Sequence, residues 1–235
     1  MLVDLGWRID AGKILTRREL SLVLDDLAHK ADRFANARLN RVICRLACCC
    51  GLRVSEISAL QLSDVRLESS RPHLRLRVGT TKGGKARRVP LWWDAGTLAD
   101  LTAWKTERLR CGATDSGPFV ASPRTGCRVP LTRHNLRRRF RTACKALGLE
   151  RLRMLTIHHG RHTFISHALA GGRTLAEVRD AAGHANVSVT SCYLHVAVDE
   201  DDRLGNLFEF KGSMAAMQPR HSVEKSGFGM KTEIP

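Results

Sequence analysis

Leu74-Arg75-Leu76-Arg77-Val78-Gly79-Thr80-Thr81-Lys82-Gly83-Gly84-Lys85-Ala86-Arg87-Arg88-Val89-Pro90-Leu91 is where the hydrophobic period of the chain changes. Leu74, Leu76 and Val78 alternate with Arg75, Arg77 and Gly79, the two-residue period of a half-buried strand. Thr81 to Lys85 reads as a turn, and Arg88 to Leu91 returns as a second strand. The stretch is therefore a hairpin with a basic, glycine-rich tip.

Around the hairpin the pattern is helical. Upstream, Thr16 and Glu19 form a capping-box pattern ahead of Leu20, Leu22 and Leu24, in a helix that ends before Ala35. Ala35, Leu39, Val42, Ile43, Leu46 and Cys50 continue at helical spacing, and Gly51 is a natural C-terminal stop. A short helix is expected from about Ser55 to Leu60. Downstream, Asp94 caps a helix carrying Leu98, Leu101 and Trp104, and Pro118-Phe119-Val120 reads as a short strand. Thr132 caps a helix with Leu136, Phe140, Ala143 and Leu147 on one stripe. Its other face holds Arg137, Arg138, Arg141 and Lys145 with no acid, which suits either a solvated face or a surface turned to DNA. Helices follow at about 158–171, at 174–182 with a Thr174–Glu177 capping box, and at about 187–196. Asp199 to Asp202 is an acidic start for a last helix with Leu204, Leu207 and Phe208. The sum is a mainly α fold with a small antiparallel β-sheet, an α+β architecture.

The 235 residues carry 39 Lys and Arg against 23 Asp and Glu, a net charge of +16. Such a chain binds polyanions, because its cations release the counterions condensed on a phosphate backbone. Nucleic acid is the first candidate partner and a membrane surface the second. No apolar run approaches the roughly 20 residues of a bilayer span, and Asp4 and Asp10 interrupt any signal-peptide pattern, so a cytoplasmic location is expected. Cys44, Cys48, Cys49 and Cys50 lack the paired spacing of a zinc site and read as small buried side chains.

The candidate chemistry is scattered. It comprises Gly51-Leu52-Arg53-Val54-Ser55-Glu56, Lys82 in the hairpin tip, His158-His159-Gly160-Arg161-His162-Thr163, Gly183-His184, and Tyr193, the single tyrosine of the chain. A metal-free phosphodiester transesterase needs cations around the non-bridging oxygens. It also needs an acid for the leaving oxygen, a base near the nucleophile, and a nucleophile that can later leave. A phenol, with a pKa near 10, leaves far more readily than an alkoxide. The covalent intermediate therefore keeps the bond energy without ATP. A zincin reading of the histidines fails: His158 and His162 have the spacing, but the glutamate expected after the first histidine is His159.

These pieces, in this order, resemble the tyrosine recombinase (phage integrase) family. An arginine in a G-L-R-x-S-E stretch, a hairpin lysine, an H-x-x-R box, a histidine after glycine and a tyrosine nine residues on are all present, and Leu60 to Asp64 and Arg88 to Leu91 match as well. The resemblance runs from about Thr16 to Leu207. It implies that Arg53 and Arg161 clamp the phosphate oxygens through planar forks, with a further hydrogen bond from His184. Lys82 protonates the leaving 5′ oxygen, His158 takes or returns the tyrosine proton, and Tyr193 joins the 3′ phosphate. Lys85 is the alternative hairpin lysine. Glu56 holds His158 or an arginine in place. Lys85, Arg87, Arg137, Arg138 and Arg141 are expected to face DNA. His162, His167 and His195 read as packing or surface residues. Gly160, where the family often has leucine, lowers helix propensity by about 1 kcal/mol and is expected to loosen the helix that holds Arg161.

The resemblance further implies a site-specific strand-exchange enzyme without cofactor or metal, located at the nucleoid and acting on double-stranded DNA as a tetramer. A catalytically idle DNA-binding remnant and a type IB topoisomerase-like activity are the alternatives. Residues 1–15 are expected as a short segment without the family's N-terminal DNA-clamping domain, 16–211 as the catalytic domain and 212–235 as a disordered tail.

Overall fold

A computed structural model of the chain describes residues 9–80, 85–122 and 128–194. Lys82, His195, the last helix with Leu204, Leu207 and Phe208, and the expected tail lie outside the described residues.

Helix α1 (Arg17–Ala31) opens on the Thr16–Glu19 capping box, with both reciprocal hydrogen bonds formed. It packs on α2 (Ala35–Cys48), which is buried along most of its length and whose cysteines lie in the core. Gly51, at φ 63°, turns the chain out of α2. A side chain there would collide with the Phe164 ring. Arg53 then stands as the N-cap residue of α3 (Val54–Ala59).

The sheet has three antiparallel strands in the order β1 (Val65–Arg66), β2 (His73–Leu76), β3 (Arg87–Pro90), with Leu74 opposite Val89 and Leu76 opposite Arg87. The expected first hairpin strand stops two residues early. Thr80 donates to the Arg77 carbonyl and closes a short 3-10 turn, Arg77 pairs with the buried Asp64, and Val78 is left exposed.

Helix α4 (Ala95–Arg110) starts on an Asp94 cap and α5 (Arg133–Ala143) on a Thr132 cap. Pro118 to Val120 is not a sheet strand: it is held by isolated bridges, Gln61 to Pro118 and Ala121 to Pro130. The α5 stripe continues through Cys144–Leu147 as a 3-10 turn, and α6 (Gly148–Met154) follows, where no element was expected. Helices α7 (Ile157–Ala170) and α8 (Leu175–Ala182) match the expected spans, and α9 (Val187–Ser191) opens where expected; residues 195 and 196 of its expected span lie outside the described residues. Its backbone ends in a turn, the Tyr193 N–H donating to the Thr190 carbonyl.

Two apolar clusters form the core. The larger joins α1, α2, the sheet, α4 and α5. The smaller packs Trp93, Phe164, Ile165 and Ala168 against Val178, Ala181, Ala182 and the ring of Tyr193. The α2–α7 contact closes the molecule, and Gly160 lies in it. A Cβ at Gly160 would stand 2.9 Å from the Ala47 Cβ and 3.0 Å from its carbonyl carbon. The expected loosening of α7 is thus offset by a close approach that only glycine permits.

Candidate active site

The site is assembled on the C-terminal end of α8. Three successive carbonyls there each accept a hydrogen bond from an arginine: Ala181 from Arg87 Nε at 2.9 Å, Ala182 from Arg161, and Gly183 from Arg53 at 3.4 Å. Carbonyls at a helix C-terminus lack intrahelical partners and carry the negative end of its dipole. They are a natural seat for guanidinium groups. Gly183 makes the seat possible: its φ is 69°, and a Cβ there would lie 2.7 Å from Arg87 Cδ.

Glu56 stands against the same cluster. Its carboxylate takes a bidentate fork from Arg87 at 2.7 and 2.8 Å and further bonds from the Arg53 side chain and backbone N–H. At 1% exposure it remains ionised. Burial raises its pKa, but Arg87 and Arg53 together outweigh that and hold it below the ordinary carboxylate value. Removing one partner of such a buried pair costs roughly 3–5 kcal/mol. Glu56 therefore holds arginines, the second of its two expected roles. Arg87, expected to face DNA, instead has a side chain only 8% exposed and turned inward onto Glu56 and α8.

Arg161 is 3% exposed. Its two terminal nitrogens are anchored on the Gly51 and Ala182 carbonyls, 2.8 Å for the former. Burial and the neighbouring Arg53 and Arg87 push its pKa down to about 9. Three guanidinium groups thus stand around one carboxylate, which is paired with Arg53 and Arg87, and the excess positive charge is a standing demand for an anion.

Two cavities meet at Arg53. One, of about 450 Å³, is lined by Arg53, His158, Arg137 and Arg141; the other, of about 730 Å³, by Arg53, Lys85, Arg88 and His184. Arg137 and Arg141 of α5, with Lys85, are exposed along this groove, whereas Arg138 lines a separate cleft with Asn36, Asn40 and Asn135. His158 is exposed in the groove wall, its pKa lowered by partial burial and by Arg161 and Arg53. His184 bonds Thr190 through Nδ1 at 2.9 Å, and burial beside the three arginines presses its pKa down to about 3.

Tyr193 is 4% exposed, and burial pushes its pKa up to about 12 against the opposing pull of Arg161. Its hydroxyl lies 2.7 Å from Nδ1 of His162. Sequence reasoning missed His162. The available signal was its position four residues beyond His158, which puts both on one face of α7. Their rings meet edge-on, 4.9 Å apart.

A family model described as the phage integrase family matches residues 15–200. The chain belongs to this family. Tyrosine recombinase XerD of Caulobacter vibrioides is 32% identical over 209 residues, covering 82% of this chain and 65% of that protein. Tyrosine recombinase XerC of Pelobacter propionicus is 34% identical over 149 residues, 63% of this chain and 45% of that protein. The chain spans about half the length of the curated relatives it matches. Among solved structures, XerA recombinase aligns with a TM-score of 0.61 at 24% identity, covering 77% of this chain and 58% of that one. A lambda integrase dimer bound to a COC′ core site aligns with a TM-score of 0.55 at 20% identity, covering 77% and 47%. These likenesses show the fold. In this phage integrase family member, Arg53, Arg161, His184 and Tyr193 converge around the end of α8, with His158 at the groove. Among the described residues no group of acids, histidines and cysteines could hold a metal ion, and no helix is long and apolar enough to cross a membrane.

Proposed function

We propose that the chain carries the strand-breaking and strand-joining centre of a site-specific DNA recombinase. The observation that carries this reading is the gathering of Arg53 and Arg161 on the α8 carbonyls beside a buried, singly occurring tyrosine. In this reading a DNA phosphate settles against the Arg53 and Arg161 forks and His184. Tyr193 attacks phosphorus, the 5′ oxygen leaves with a proton from Lys82, and a 3′-phosphotyrosine remains. The groove from Arg137 and Arg141 past Arg53 to Lys85 tracks the backbone of the duplex. Relatives named as tyrosine recombinases support the assignment. The working assembly is a tetramer on DNA, at the nucleoid; a stable dimer in sedimentation without DNA would count against it.

The test is a library of nicked duplexes incubated with the protein in EDTA and resolved under denaturing conditions. The expected result is a protein–DNA adduct that survives detergent and disappears in Tyr193→Phe. Tight binding with no adduct would favour an idle DNA-binding module. Relaxation of supercoiled plasmid without strand exchange would favour a topoisomerase.

A further inference from the structure

We propose that His162 takes the proton of Tyr193 when the phenol oxygen attacks the DNA phosphate. The inference rests on the transesterase reading and adds to it a residue for which the sequence offered only a packing role. Tyr193 is protonated in the free protein and is buried away from water, so a neighbouring base must receive its proton. Among the described residues the hydrogen bond of its hydroxyl is with His162 Nδ1, not with His158. An Nδ1 that accepts from a phenol requires the Nε2–H tautomer, that is, a neutral ring. Burial keeps the ring neutral, helped by the charges around it: His158, His159 and Arg161 on α7, and Lys13 from the segment before α1. Cys192 and His184, whose ring stacks 6.5 Å from that of Tyr193, are further titratable neighbours of the tyrosine. A phosphate arriving on Arg161 compensates part of that positive field and raises the basicity of His162 at the moment it is needed.

His158 has a different outlook. It lines the groove with Arg53, Arg137 and Arg141, toward the incoming strand. The step balances as follows. The Tyr193 oxygen–phosphorus bond forms while the phosphorus–O5′ bond breaks. The phenol proton moves to Nδ1 of His162, and O5′ leaves with a proton from Lys82. On rejoining, O5′ attacks phosphorus and gives its proton back to Lys82, the Tyr193 oxygen–phosphorus bond breaks, and His162 returns its proton to the phenolate.

Single-turnover cleavage of a nicked duplex by the full chain, from acid to alkaline pH, tests this. His162→Gln is expected to cleave about 10²- to 10⁴-fold more slowly, and His162→Ala to regain rate with added imidazole. A substrate with sulfur at the bridging 5′ position, whose thiolate leaves without a proton, is expected to rescue Lys82→Ala but not His162→Gln. The Tyr193 ring carbon bearing the hydroxyl, isotope-labelled, is expected to shift in His162→Gln while circular dichroism stays unchanged. A folded His162→Gln with the parent's rate and pH profile overturns the proposal, as does its rescue by the sulfur substrate. A parent chain that forms no adduct overturns the transesterase reading itself, which the Tyr193→Phe control separates from failure of His162 alone.

Discussion

Arg161 shows how a single side chain is specified by its surroundings. Its fork spans two backbone carbonyls from different elements, Gly51 after α2 and Ala182 at the end of α8. A lysine ammonium is a point charge on a flexible stem and cannot occupy both seats. Arg161→Lys is therefore expected to lower adduct formation at least about 100-fold, a few kcal/mol of transition-state stabilisation, measured in single-turnover cleavage. Arg161 was legible in the sequence because it belongs to a local box. Arg87 and His162 were not. Arg87 meets Glu56 across 31 residues and His162 meets Tyr193 across 31 more, and no spacing rule reaches that far.

At the scale of elements, helix starts were the most legible feature, since Thr16, Asp94, Thr132 and Thr174 cap their helices through contacts two or three residues away. Where the sequence misled, a long-range contact intervened: Arg77 pairing with Asp64, and Gly160 admitting the close approach of Ala47. Gly160→Ala sets two effects against each other. Helix propensity favours alanine by about 1 kcal/mol. Overpacking costs about 1–3 kcal/mol, and the obstacle includes α2 backbone, which yields poorly. The expected outcome is net destabilisation, seen as a lower denaturant midpoint at unchanged slope. Helix α5 makes the second prediction. If Arg137 and Arg141 each neutralise one phosphate, replacing both by alanine should flatten the log–log salt dependence of DNA binding by about 1.8, roughly 0.9 per contact, in titrations on duplex DNA.

Acid sensitivity is expected of the whole molecule. His158, His159, His162 and His184 all have pKa values below the ordinary 6.5, with burial as the first cause. At His162 and His184 the unfolded chain binds more protons than the native one between 6.5 and about 4 and 3 respectively, and the lowered His158 and His159 act in the same direction. Stability then rises with pH, so it is complete above about 6.5 and drains away as pH falls toward 4. Glu56, also shifted down, adds a loss of the same sign at still lower pH. Thermal melts stepped from pH 7 to pH 4 should show a falling midpoint. A flat profile would mean that the histidines titrate normally in the fold. The charge excess of +16 pointed to a polyanion from composition alone, but the seat for that anion, built from the end of one helix, was not visible in it.

That seat has a consequence for how such genes decay. Because Gly183 holds a left-handed turn at φ 69° and a Cβ there would press on Arg87, a codon change at that glycine is expected to disturb the arginine cluster without altering any arginine. A lineage can fall silent in this way while every residue of its catalytic signature is still spelled correctly. An inventory of active copies based on those signature letters alone would count it among the living.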